Sequence, residues 1–216
     1  TIVAGNQADL RPLVPGRIVK VGSNYFEGAI IKSGETLAEI DPFEYSIQVA
    51  DRRAALTEAL TKEEETRSEI KSELRLLEIS RSQLNLRKRD FDRRKKLVKQ
   101  GSTSRKSLDD AEIALNQAFQ AEATRQQTIL RLKSRLNQFR AAVTRAQAAL
   151  NLARRNLAQT KLVAPFEGFL ANAEVSEGQR VGTADRIARL IEAGRMEVRF
   201  RLTQRDFGGL LPGTNQ

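Results

Sequence analysis

Cysteine, histidine and tryptophan are all missing from this 216-residue chain. Without cysteine there can be no disulfide and no thiolate ligand set. Without histidine the commonest metal ligand and the commonest general base are gone. Aromatic residues make up 5% of the chain, too few for a large globular core. No apolar run reaches the roughly 18 residues that read as a membrane-crossing helix, and no signal peptide opens the sequence. The chain begins on a strand-like TIVAG and stops at LLPGTNQ, so it reads as a portion of a longer protein. Together these absences argue against an enzyme, and they leave no catalytic, cofactor or metal residues to nominate.

The most informative absence is local. Phe43 to Gln100 contains neither glycine nor proline, and neither does Ser104 to Ala164. Ala, Leu, Glu, Lys, Arg and Gln fill both stretches, the composition of long helices or coiled coil. Between them lies one break, Gly101-Ser102-Thr103. Two near-equal helical runs about a single breaker predict a hairpin over residues 42–159 with its tip at 100–104. Roughly 55 residues at 1.5 Å rise would make an arm of about 80 Å.

Asp41-Pro42 starts the first run with an N-cap and a first-turn proline, and Glu44 stands where a capping box needs it. Its apolar seam reads Val49, Leu56, Leu60, Ile70, Leu74, Leu77, Leu84, Phe91 and Val98. The second run is more regular: Leu108, Ala111, Leu115, Ala118, then polar Glu122 and Arg125, then Ile129, Leu132, Leu136, Phe139, Val143, Ala146, Leu150, Ala153 and Leu157. Alternating steps of three and four over this length are a heptad, so an antiparallel coiled coil is expected. Glu122 and Arg125 read as register-setting or solvent-reaching residues. Gly101 suits the helix-ending position, and Ser102, Thr103 or Ser104 the next N-cap.

Outside the hairpin the chain is rich in short strands with Gly turns. The two β pieces resemble each other. G-x-I at 16–18 and the glycines at 28 and 34 are echoed by G-x-L at 168–170 and by G-Q-R-V at 178–181. Short strands are also expected at Ala173–Val175 and Met196–Leu202, and a helical turn over 204–211. Neither half is large enough to bury a core alone. The expected fold is therefore α+β and elongated, with the hairpin inserted between two halves of one small β-domain at 13–41 and 160–192. The first 16-to-28 interval is two residues longer than its 168-to-178 counterpart, which predicts a slightly enlarged hairpin there.

The segments PGRIVKV, GAIIKSGETLAEIDPFEY, LAQTKLVAPFEGFL and EVSEGQRV, in this order around a helical hairpin, resemble the periplasmic adaptors (membrane fusion proteins) of Gram-negative tripartite efflux pumps. IDPFEY looks like those of the resistance-nodulation-division type. The resemblance implies a lipoyl-like β-domain, with residues 1–12 and 193–216 as partial segments of a flanking β-barrel. It also implies periplasmic residence, an N-terminal inner-membrane anchor and assembly into a hexamer. The partners would be an inner-membrane transporter and a TolC-type outer-membrane channel. An adaptor of an ATP-driven exporter or a type I secretion system is the alternative within this class. The family's tip motif maps onto Arg93, Leu97 and Ser104, with Asp109 where an acidic residue follows.

Charge bears on that tip. Lys and Arg number 37 against 27 Asp and Glu. Residues 81–110 hold eleven basic residues and four Asp, whereas 57–80 hold four basic residues and seven Glu. The excess positive charge is thus concentrated near the turn, where it would be either a solvated helix face or a steering patch for an acidic channel rim. A nucleic-acid-binding coiled coil is the competing class. It would interleave bases with stacking aromatics, and only Phe91 lies among the tip charges. A lipoyl or biotin carrier needs a lysine at the tight turn that the hairpin here replaces, and no Met-Lys pair exists. No covalent cofactor is expected.

Overall fold

The computed structural model describes residues 2–4, 6–192 and 196–198. The expected strand residues 199–202 and the turn over 204–211 lie outside these. Two compact units divide the chain, one made from both ends (residues 1–49 and 152–216) and one from the middle (50–151).

In the first unit, β1 (Ile2–Ala4) pairs antiparallel with β10 (Met196–Val198). The remaining strands form two four-stranded sheets. The first half of the chain supplies β2 (Gln7–Leu10), β3 (Gly16–Val21), β4 (Ile30–Ile31) and β5 (Thr36–Ile40). The second supplies β6 (Lys161–Val163), β7 (Gly168–Ala171), β8 (Arg180–Val181) and β9 (Ala188–Glu192). One sheet runs β2-β9-β7-β4 and the other β6-β5-β3-β8, all antiparallel. Each sheet has a central pair from one half and two outer strands from the other.

The halves therefore interlock as near-copies, and several backbone hydrogen bonds recur in matching pairs. Gly28 donates to the Leu170 carbonyl at 2.7 Å, and Gly178 donates to that of Ile18 at 2.8 Å. In the turn after β4 the Lys32 amide is capped by Glu35 at 3.0 Å; in the turn after β8 the Gly182 amide is capped by Asp185 at 2.7 Å. The two extra residues of the first half fall between Ile18 and Gly28. They lengthen β3 to six residues against four in β7, with a register shift between Ile18 and Lys20.

The core is shared in the same way. One cluster joins Leu10, Ile31 and Leu37 to Leu170 and Leu190; the other joins Ile18, Ala38 and Ile40 to Val175, Val181 and Ile187. Two expectations need correction here. Residues 7–10 are not part of a separate barrel segment: β2 lies in full register on β9, and Leu10 is buried in the first cluster. Ala173–Val175 is not a strand. Asn172 takes a positive φ of 53° just after β7, which turns the chain so that Val175 enters the second cluster from a loop.

The hairpin consists of α1 (Phe43–Lys99) and α2 (Arg105–Ala158). Asp41 caps α1 by accepting from the Phe43 amide at 3.0 Å. The reciprocal half of a capping box is not made, because the Asp41 amide donates instead to the Arg17 carbonyl at 2.8 Å. Where the helices begin and end, the Ile40 amide donates to the Thr160 carbonyl at 2.8 Å, and the Tyr45 hydroxyl donates to that of Pro15 at 2.7 Å. Thr160 is 1% exposed.

Every seam position expected on α2, Glu122 and Arg125 included, is buried or half-buried. On α1 the seam differs. The strict seven-residue series Val49, Leu56, Glu63, Ile70, Leu77, Leu84, Phe91, Val98 is turned inward, alternating with Ala59, Thr66, Glu73, Ser80 and Arg94. Leu60 and Leu74 are 47% and 48% exposed; they lie one position off the series, so they project outward.

Gly168 illustrates how tightly the halves meet. A Cβ there would lie 2.2 Å from the Ile191 carbonyl oxygen, a backbone atom of the neighbouring strand. Gly168→Ala is expected to destabilise the fold by about 2 kcal/mol or more through forced strand displacement. Gly34→Ala, at a position with open space, should cost only about 1 kcal/mol in backbone strain. Urea unfolding of the two variants checks the order.

Candidate functional site

Leu97, Val98 and Lys99 close α1, and the chain reverses in the five residues that follow. Gly101 adopts φ 73°, a left-handed conformation that glycine reaches without Cβ strain. Its amide donates to the Val98 carbonyl at 3.0 Å and that of Ser102 to Leu97 at 2.9 Å. This is a Schellman closure, which satisfies carbonyls the helix end would otherwise leave unpaired. Ser104 then caps α2, its Oγ accepting from the Ser107 amide at 3.3 Å.

A side-chain clamp holds the two helices next to this turn. Arg94 donates through Nε to Asp90 at 3.0 Å and through Nη1 to the Ser107 hydroxyl at 2.6 Å and the Ser107 carbonyl at 3.2 Å. Arg93 also donates to Asp90. Desolvation pushes the Asp90 carboxyl up, but the Arg93 hydrogen bond and both guanidinium charges outweigh it, leaving its pKa below the ordinary 3.8. A depressed carboxylate contributes stability above its unfolded pKa and loses it as pH falls further. Asp90 therefore braces Arg94 at neutral pH, and its contribution is lost only on acidification below the ordinary carboxylate range, whereas the Arg94–Ser107 bonds across the helices do not titrate. Lys95 rests over the Phe91 ring at 5.7 Å.

Of the four tip residues expected from the sequence, two are brought together. Arg93 and Leu97, one turn apart, line an open groove with Arg89, Asp92, Lys96 and Gln100. The Arg93 side chain is 71% exposed and Leu97 is half-buried. Ser104 and Asp109 are both exposed on or before α2 and are not among the residues lining that groove. The residues that sequence reasoning missed are Asp90, Arg94 and Ser107. Arg94 could have been found by counting strict heptads from Ala59, since it lies five heptads on, in the second inward-facing series.

Farther along the shaft, polar seam residues pair across the hairpin. Glu122, 8% exposed, accepts from Arg81 at 3.1 Å and also from Gln126. Arg125 donates to both oxygens of Glu73 at 3.2 Å, and Arg140 lies 3.5 Å from Glu63. These contacts fix register, because a slip of one residue would strand a half-buried carboxylate. Among the described residues no cluster of potential ligands could hold a metal, and no helix is long and apolar enough to cross a membrane.

Two interlocked β half-motifs split by a long helical hairpin define a barrel-sandwich hybrid scaffold. Residues 6–192 match the family described as RND MFP, barrel-sandwich hybrid domain, and the chain belongs to that family of membrane fusion proteins. It is similar to the multidrug resistance protein MdtA of Yersinia pestis (strain Pestoides F), at 24% identity over 98% of this chain and 38% of the relative. It is also similar to the multidrug efflux pump subunit AcrA of Escherichia coli (strain K12), at 28% identity over 93% of this chain and 40% of the relative. Among solved structures, MacA from Actinobacillus actinomycetemcomitans superposes with a TM-score of 0.53 at 25% identity, covering 91% of this chain and 52% of that one. The chain spans about two fifths of the length of these curated relatives.

Arg94→Met should loosen the turn without unfolding the hairpin. Losing the clamp is worth about 1 kcal/mol at this exposure, so amides of residues 100–107 are expected to exchange roughly fivefold faster. Hydrogen-exchange mass spectrometry reads this, with the amides around Leu132 unchanged as the control.

Proposed function

We propose that this chain is the hairpin-bearing part of a periplasmic adaptor for drug or small-molecule efflux. In this reading it links an inner-membrane transporter of the resistance-nodulation-division type to an outer-membrane channel of the TolC type. The protein is held at the inner membrane by an anchor outside this sequence and assembles as a hexamer around the conduit. Residues 42–159 are the arm, and its tip docks on the channel through Arg93 and Leu97, with Ser104 and Asp109 at the margin.

The observation that carries this reading is the turn itself. Its backbone is closed by the Schellman hydrogen bonds and its helices are clamped by Arg94, yet Arg93 stays exposed beside the half-buried Leu97. A rigid turn presenting a cation and an apolar edge suits end-on contact with a preformed partner. Membership of the membrane fusion proteins, the multidrug resistance named for MdtA and the multidrug efflux named for AcrA support the same direction. The mechanism needs no bond-making step, since the arm acts by spanning and sealing. Ser104 serves as the cap of α2 whether or not it also touches the channel.

The test uses the full-length protein in its own cells. Arg93→Asp should abolish pump-dependent resistance while adaptor abundance stays normal, and Ser102→Cys should cross-link to an outer-membrane channel. Unchanged resistance together with no channel adduct would exclude tip docking. Co-purification with the transporter distinguishes the resistance-nodulation-division type from an ATP-driven exporter.

A further inference from the structure

The charges of the two helices come in blocks that the seam does not use up. From Ser107 to Thr124, α2 holds four acidic residues and no basic one. From Arg125 to Arg155 it holds eight basic residues and no acidic one. α1 has the opposite order along the arm: residues 57–78 hold seven Glu against four basic residues, and 79–96 hold eight basic residues against two Asp. The contacts Glu63–Arg140, Glu69–Arg135 and Arg81–Glu122 show which residues of the two helices stand at one level. The acidic part of α1 is thus level with the basic part of α2, and the basic part of α1 with the acidic part of α2.

On the faces turned away from the seam this order persists. The outermost heptad row of lower α1 is Ala54, Thr61 and Ser68; level with it on α2, within one residue, stand Ala148, Ala141 and Ser134. All six are exposed, and all are small. The next row, on the side that carries the Glu69–Arg135 contact, holds exposed Glu58 and Arg93 on α1. On α2 it holds exposed Arg145, level with Glu58, and exposed Asp110, level with Arg93. Two copies side by side at one height, α1 of one against α2 of the next, would bring the small rows together. They would also set Glu58 against Arg145 and Arg93 against Asp110. Lys71 and Arg75 would meet Leu130 and Gln127, and near the turn Asp92 and Lys96 would meet Asp109 and Lys106, four charges that sum to zero. The two-fold alternatives fit less well. α1 against α1 sets Arg75, Arg89 and Lys96 each against its own copy, and α2 against α2 sets Asp110 beside Asp109. A face that fits a different face of its copy makes a heterologous contact, which repeats into a ring or a row.

We propose that the outer face of α1 on one copy seats on the outer face of α2 on the next, tips level. Glu58–Arg145 and Arg93–Asp110 set the height and direction of the contact. This deepens the proposed function, on which only the common height of the copies rests. Exposed pairs of this kind select orientation more than they add affinity, and salt screens them. The assembly then has a direction, with every copy presenting α1 to one neighbour and α2 to the other.

Cysteine cross-linking of the full-length protein in its own cells reads the contact, since this chain has no cysteine of its own. Two differently tagged copies carry Thr61→Cys and Ala141→Cys, and a short bismaleimide joins thiols that meet. The mixed adduct should exceed either same-site adduct at least fivefold. Predominant same-site adducts overturn the proposal, since they mark α1–α1 or α2–α2 contact, and so does the absence of any adduct at normal abundance. Ser68→Cys with Ser134→Cys repeats the reading farther up the arm, so that a local distortion at one site does not decide it. Glu58→Arg should reduce the mixed adduct at least threefold, and adding Arg145→Glu should restore it. An adduct indifferent to the first change, or not restored by the second, overturns the charge pairing proposed. The Ser102→Cys channel adduct is scored in parallel. Its presence without a mixed arm adduct overturns this inference alone, whereas the reverse result supports it and overturns only tip docking.

Discussion

Every hydrogen-bonded pairing that completes the two four-stranded sheets joins one half of the chain to the other. Only the central pairs, β3 with β5 and β7 with β9, are made within a half. The outer pairings of β2 with β9, β4 with β7, β6 with β5 and β8 with β3 all cross. Neither half is a domain by itself, since two-stranded ribbons are marginal in water and each buried cluster draws on both. The hairpin must therefore return the chain to where it left. The Ile40 amide on the Thr160 carbonyl marks the point at which that condition is met.

The hairpin meets the requirement with a seam that is mixed in character. α2 supplies an almost continuous apolar edge, whereas α1 alternates apolar residues with Ala59, Thr66, Glu73, Ser80 and Arg94. Apolar contact alone would hold the helices together but would specify their register weakly. Glu122 with Arg81, and Glu73 with Arg125, add directional contacts that only one alignment satisfies. Such pairs are weak evidence for stability and better evidence for specificity. At the turn the same device recurs, with Arg94 placed on the inner face so that it can reach Ser107.

The sequence made the architecture legible because its strongest signals were repeats and interruptions. Equal glycine-free runs exposed the hairpin, the paired G-x-I and G-x-L motifs exposed the interlocked halves, and all fifteen seam positions of α2 could be read from the chain. What failed, failed for a physical reason. Leu60 and Leu74 read as α1 seam residues because they are apolar, while the inward positions are held by Glu63, Thr66 and Glu73, whose polarity hides them from hydrophobic patterning. Residues 7–10 look like any short exposed strand until β9, far away in sequence, is set beside them. At the tip, Arg93 and Leu97 were legible as neighbours, but the Asp90–Arg94–Ser107 clamp depends on a contact between helices that no local pattern encodes.

The crossing of the sheets also has a temporal side. During synthesis the first half emerges with the outer edges of β3 and β5 unpaired, and it stays so until β6 and β8 have been made. Unpaired strand edges invite pairing with other chains. The intervening hairpin has mostly local helical contacts and can form quickly, whereas the sheet contacts are as non-local as the chain allows. Its closure at Gly101 turns a long flexible loop into a short, stiff connection and so removes most of the entropy that β6–β9 would otherwise lose on reaching their partners. A substitution that delayed the turn would leave the native contacts unchanged. It would instead lengthen the interval in which half a domain waits, and its harm would appear as aggregation during folding.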